Sequence, residues 1–108
     1  METLARLEQV ILERRNCDPE TSYVALLKRE GRPCMARKLG EEAVEAVVAA
    51  LSGSDEELVG EAADVLFHLM VLLADRDIAL ADVLAELDRR EGVSGIEEKA
   101  NREESHAD

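Results

Sequence analysis

A chain of 108 residues, 46% hydrophobic and 35% charged, is long enough for one small domain and has the composition of a soluble helical protein. Its net charge of −12 argues against binding a nucleic-acid backbone, which needs many cations, and two aromatic residues, Tyr23 and Phe67, cannot line a track for single strands. No apolar run is long and charge-free enough to cross a membrane, and the N-terminus lacks the pattern of a secretory leader, so the expected location is the cytoplasm. Cys17 and Cys34 are too few for a disulfide framework or a zinc site and read as reduced and non-catalytic.

The first 40 residues carry eight Lys/Arg and six Asp/Glu, a net of +2, whereas residues 41–108 carry five and nineteen, a net of −14. That balance suits a small anionic ligand held by a metal and a few basic side chains.

In chain order, Thr3 to Arg15 reads as an amphipathic helix with Leu4, Leu7, Val10 and Ile11 on one side and Thr3 as a candidate cap. Asp18-Pro19 carries a helix-start signal, an acid followed by proline at the first helical position. The second helix holds Tyr23, Val24, Leu26 and Leu27 and ends near Gly31. A third begins near Pro33 or Cys34 and runs to about Ser52, with Gly40 inside it and Gly53 closing it. Ser54 to Glu57 forms a capping box that opens a fourth helix, ending between Asp75 and Asp77. The intervening turn is short, so helices three and four must be antiparallel neighbours. A fifth helix spans about Leu80 to Glu91, with Leu80, Val83, Leu84 and Leu87 facing the core. Ala79 stands where a capping Ser would be expected. Residues 92–108 form a charged tail with Ile96 as its one large apolar anchor. The expected fold is all-α: a single domain over residues 1–108, an antiparallel bundle of about five helices.

Chemistry concentrates between Gly40 and Asp75. Glu42/Glu45 and Glu61/Asp64 are carboxylate pairs three residues apart, one turn above each other on a helix face, with Glu41 beside the first. The fourth helix is apolar nearly all round, apart from a stripe of Glu61, Asp64, His68 and Asp75. Such a helix expects burial nearly all round, and in a chain this short part of that cover should come from a second copy. A homodimer or larger assembly is therefore expected, with the fourth helix at or near the interface. Buried carboxylates need a partner. No Lys or Arg lies between Gly40 and Asp75; Arg37, Lys38 and Arg76 flank the stretch. A divalent cation is the more economical compensation. Mg²⁺ prefers hard oxygen ligands and bridges carboxylates to substrate phosphates, where it activates water and neutralises charge. His68 is as readily a core residue as a functional one. There is no GxxxxGK[ST] phosphate loop, and no pair of Glu-x-x-His motifs of the di-iron kind.

EEAVE, followed after fifteen residues by EAAD, resembles the EExxE…ExxD signature of the all-α NTP pyrophosphohydrolases. SYVALL (22–27), KLGEEAVE (38–45), EAADVLFHLMVLLA (61–74), ADVLAEL (81–87) and SGIEEKANR (94–102) are similar to segments of the phosphoribosyl-ATP pyrophosphatases within that group. The resemblance implies Mg²⁺-dependent hydrolysis of phosphoribosyl-ATP to phosphoribosyl-AMP and pyrophosphate, the second step of histidine biosynthesis. It implies Glu42, Glu45, Glu61 and Asp64 as metal ligands and Glu41 as an accessory or water-orienting acid. Lys28, Arg37, Lys38, His68 and Lys99 are candidate substrate contacts. Two alternatives remain open: a related pyrophosphatase acting on free or damaged nucleotides, and a helical module whose acids dock a basic partner.

Overall fold

The computed structural model describes residues 2–91 together with Ile96, Lys99, Ala100 and Arg102. It is all-helical over these residues: α1 (Glu2–Arg14), α2 (Tyr23–Glu30), α3 (Arg32–Ser52), α4 (Asp55–Asp75) and α5 (Leu80–Arg90). None of these helices is long and apolar enough to cross a membrane.

The core is aliphatic and lies at one end of the molecule. Ile11, Val24, Leu27, Met35, Met70, Val71, Ala74 and Leu80 are buried together, with Leu4, Leu7, Leu12, Phe67, Leu72 and Leu84 packed around them. α1, α2, the start of α3 and the end of α4 converge there. Beyond it α3 and α4 continue side by side as a long hairpin. The radius of gyration, 16.2 Å, exceeds the ~13 Å of a compact chain of this length.

Local chemistry sets the helix ends. Ser22 caps α2 by accepting the Ala25 N–H at 3.2 Å, while its own hydroxyl donates to the Arg14 carbonyl. Asp18-Pro19 opens a turn rather than a helix: Asp18 Oδ1 accepts the Glu20 N–H and its carbonyl accepts those of Thr21 and Ser22. Thr3 lies inside α1, which already runs from Glu2, so it is not a cap. Ser54 accepts the Glu57 N–H at 3.1 Å, as the capping box requires. A Cβ on Gly53 would stand 3.0 Å from the Ala49 carbonyl, which explains a glycine at this turn. α4 ends in a Schellman motif, with Ile78 N–H on the Leu73 carbonyl, Asp77 N–H on that of Ala74, and Asp77 at φ 56°.

Three expectations of burial need correction. Val10 points outward and Leu12 packs in its place. Leu87 and Ile96 are exposed, so neither anchors its segment. The fourth helix is not buried all round in the single chain. Its C-terminal half is, through His68, Met70, Val71 and Ala74, but Val59 is 69% exposed, and Ala62, Ala63 and Asp64 are also open. Apolar periodicity records which surface favours burial, not whether one chain can cover it. The remainder of the 92–108 tail lies outside the described residues.

Candidate active site

The α3–α4 hairpin brings the two carboxylate motifs to the same level. Antiparallel pairing sets Glu45 beside Glu61, and Asp64 acts electrostatically on Glu42. Further along, Lys38 and Glu41 act on His68. Each step along α3 is matched by an equal step back along α4. The motifs converge because this register is kept along the hairpin.

At the centre, Glu42, Glu45 and Glu61 each offer an oxygen within 4.8 Å of the others. Glu42 Oε2 and Glu61 Oε2 are buried, with no hydrogen-bond partner among the described residues. Burial, first, and then the neighbouring Glu45 carboxyl push the Glu42 carboxyl up to about 7, and the charges of Asp64 and Glu61 add to this. Glu61 is raised by the same causes in the same order, partly offset by hydrogen bonding to Glu42. Orphaned buried oxygens on converging acids are costly as they stand. Hard oxygen donors on two helices fit a divalent cation such as Mg²⁺. A groove lined by Val44, Glu45, Val48, Ser52, Glu57 and Glu61 opens beside the cluster.

The other expected residues are distributed around this centre. Asp64 is exposed and lies outside the tight trio, although its charge is felt by Glu42, Glu61 and His68. Glu41 is ion-paired with Arg37 at 3.4 Å and with Lys38 at 3.9 Å, so the three form a mixed-charge rim. His68 is buried, and that burial is the main reason its imidazole titrates below the ordinary range. Lys28 is not near the acids. It donates to Asn16 Oδ1 at 2.9 Å and borders the Asp75 end of α4, about 20 Å along the helix from Glu61. Lys99 is helical and exposed. Asp75, on the same sequence stripe as Glu61, lies about 20 Å farther along α4, where Arg32 pairs with it at 2.6 Å.

One grouping was missed from sequence. Tyr23 stacks on Phe67 at 6.0 Å between ring centroids, and His68 meets both rings edge-on. The chain's only two aromatic residues thus meet beside the rim of the acidic site. Their rarity was the available signal, but 44 residues separate them in sequence.

The family model for phosphoribosyl-ATP pyrophosphohydrolase matches residues 4–91. A phosphoribosyl-ATP pyrophosphatase of Erythrobacter litoralis is 65% identical over 102 residues, covering 94% of this chain and 98% of that protein. Those of Rhizorhabdus wittichii and Novosphingobium aromaticivorans are 62% and 61% identical, with 93% and 94% of this chain and 94% of each relative covered. With a family model across most of its length and full-length relatives at this identity, the chain belongs to the phosphoribosyl-ATP pyrophosphohydrolase family of hydrolases.

Proposed function

We propose that this protein is a cytoplasmic enzyme that hydrolyses phosphoribosyl-ATP to phosphoribosyl-AMP and pyrophosphate with Mg²⁺, the second step of histidine biosynthesis. The observation that carries the reading is the convergence of Glu42, Glu45 and Glu61, with two buried oxygens lacking partners. Relatives that carry this activity in their names cover nearly the whole chain.

In this reading Glu42, Glu45 and Glu61 would hold the metal, with Asp64 completing the set from the edge of the trio. A divalent cation held there would supply charge neutralisation of the diphosphate and polarisation of its phosphorus–oxygen bonds. The chain's own residues do the rest. Lys38 and Arg37 lie at the rim, one to two turns from the acids, where they can meet phosphate oxygens that the metal leaves free. Glu41 sits between them and can accept a hydrogen bond from water. The reaction joins water oxygen to phosphorus and breaks the α–β anhydride; pyrophosphate leaves and the protons of water pass to solvent or product oxygens. Lys28 and Lys99 have no assigned contact in this scheme.

The apolar face of the hairpin supports assembly as a homodimer or larger homo-oligomer. Val44, Val47, Val48, Leu51, Val59 and Leu66 all point outward, and Leu51 is 84% exposed. Outward-facing apolar side chains on both helices of the hairpin support the reading of this face as an interface. The one domain, residues 1–108, is then completed by its partner copy, with α4 at the contact and the acids close to it.

The test is incubation with phosphoribosyl-ATP and Mg²⁺, measuring pyrophosphate against a panel of dNTPs. Rapid release from phosphoribosyl-ATP is expected. Faster release from dNTPs would move the chain to a nucleotide house-cleaning role. Light scattering at micromolar concentration should give at least a dimer mass; a stable monomer would refute the assembly.

A further inference from the structure

The aliphatic core accounts for Phe67, which packs against it, but not for Tyr23. Tyr23 is 48% exposed, so about half of its surface is not used in the fold. Nor is the cluster a satisfied polar network. His68 is 6% exposed and its Nδ1 has no hydrogen-bond partner among the described residues. The rings are nonetheless held in a defined geometry, Tyr23 nearly parallel to Phe67 (17°) and His68 close to perpendicular to both (89° and 85°).

Position supplies the meaning. Along α4, Phe67 follows Glu61 by six residues, about 9 Å of rise. Asp64 lies between the two levels on α4, and His68 follows it by about one turn on the same stripe; Lys38 and Glu41 of α3 are close enough to His68 to act on it. From the turn toward the core end the hairpin therefore carries three converging acids, then charged side chains, then the aromatic group, which His68 joins to the acids' stripe of α4. A nucleotide has the same order of parts: phosphates, sugar, flat heterocycle.

We propose that Tyr23, stacked on Phe67 and braced by His68, is the subsite that takes a purine ring of the substrate. The inference rests on the phosphoribosyl-ATP reading and extends it by naming where the base binds. Stacking on an aromatic face is tolerant of ring substituents, because every heterocycle presents a π-face. One shelf suffices for one base, whereas a single strand would need several.

Tyr23 is the only tyrosine and the chain has no tryptophan, so tyrosine emission reports on this site alone. The intact protein is titrated with AMP and, separately, with ribose 5-phosphate, correcting for nucleotide absorption. AMP should quench the emission saturably; ribose 5-phosphate should not. Tyr23→Leu should raise KM for phosphoribosyl-ATP by roughly 5- to 150-fold, the range of one lost stacking contact, with the loss in KM rather than kcat. Tyr23→Phe keeps the ring and should recover most of the KM lost in Tyr23→Leu. An emission indifferent to AMP, or a folded Tyr23→Leu protein with unchanged KM, overturns the subsite. If Tyr23→Leu does not fold, the AMP titration of the wild type decides. A wild type that binds AMP but releases no pyrophosphate from phosphoribosyl-ATP overturns the reaction and leaves the base site standing.

Discussion

The two ends of the α3–α4 hairpin use the same helices in opposite ways. At the core end the C-terminal carbonyls and carboxylate of α4 find partners. Arg32 donates to Asp75 Oδ2 at 2.6 Å and to the Asp75 carbonyl at 3.2 Å, and Arg15 donates to the Ala74 carbonyl at 2.9 Å. Two guanidinium groups thus meet the negative end of the α4 dipole, where cations stabilise a helix. Met35, 2% exposed, packs beneath them. At the turn end the demands are left open: three acids converge without a paired cation, and valines point outward. The clamped end holds the helices together; the open end leaves converging acids and exposed apolar side chains for the proposed metal and partner copy.

The comparison would break first on catalysis. Glu45→Gln or Asp64→Asn should lower Mg²⁺-dependent pyrophosphate release by roughly a thousandfold, because a catalytic metal contributes several kcal/mol to the transition state. Circular dichroism should show an unchanged helix content. A folded variant with most of the wild-type kcat would remove that residue from the metal set. Asp64, exposed and outside the tight trio, is the sharper test of the two.

Truncations of equal chemistry should differ between the ends. Met35→Ala should cost about 2–5 kcal/mol, as large-to-small changes in a close-packed core do. Leu51→Ala should lie within about 0.5 kcal/mol for an isolated chain. Denaturant unfolding at two protein concentrations measures both. If Leu51→Ala costs more, and costs it only at the higher concentration, the loss is in a contact with a second copy.

Metal and pH should act on the open end alone. In the metal-free protein the Glu42 carboxyl is held at about 7, above its ordinary 4.5, by burial and by Glu45, and Glu61 is raised likewise. Between those values the folded chain binds more protons than the unfolded one, so the cluster's contribution to stability improves as pH falls from 7 toward 4.5. At neutral pH, Mg²⁺ should raise stability by about 2.7 kcal/mol at a hundredfold excess over its dissociation constant. Glu61→Gln removes one repelling charge and one ligand. It should be inactive, at least as stable as wild type in EDTA, and much less stabilised by Mg²⁺. Equal Mg²⁺ stabilisation of both proteins would mean that Glu61 is not a ligand.

What the sequence makes legible follows from the range of the interactions involved. The ends of α3 and the start of α4 are local matters of glycine and a capping box, and the bounds of α3, α4 and α5 fall within a residue or two of expectation. The pairing of the carboxylate motifs on neighbouring helices is legible for the same reason, since one short turn enforces it. Their level is not, because it depends on side-chain packing over the whole hairpin. At Asp18-Pro19 a real start signal loses to Ser22, whose hydroxyl satisfies the Ala25 N–H and the Arg14 carbonyl together. Asp75 shares a helical stripe with Glu61, yet Arg32, 43 residues away, claims it. The Tyr23–Phe67–His68 cluster is equally long-range and carries no pattern in the linear sequence.

The smallest expected effect tests whether the satisfied end is as complete as it looks. α5 starts at Ala79, whose side chain accepts no hydrogen bond. A serine at such a position ordinarily gains ~0.5–2 kcal/mol. Here two of the first N–H groups are already engaged: Leu80 N–H donates to Glu8 Oε2 of α1 at 2.7 Å, and Asp82 N–H to the Ala79 carbonyl at 3.0 Å. Glu8 therefore supplies from across the fold part of what a cap would supply locally, and its negative charge suits a helix N-terminus. Ala79→Ser should gain only about 0.5–1 kcal/mol, the low end of that range. In a Glu8→Ala background, where the remote acceptor is gone, the same serine should gain more. Thermal unfolding of the four proteins closes the cycle, and the coupling between the two sites is the quantity of interest. An equal gain in both backgrounds would mean that Glu8 and residue 79 act independently. A melting temperature that falls in both would mean that α5 begins elsewhere.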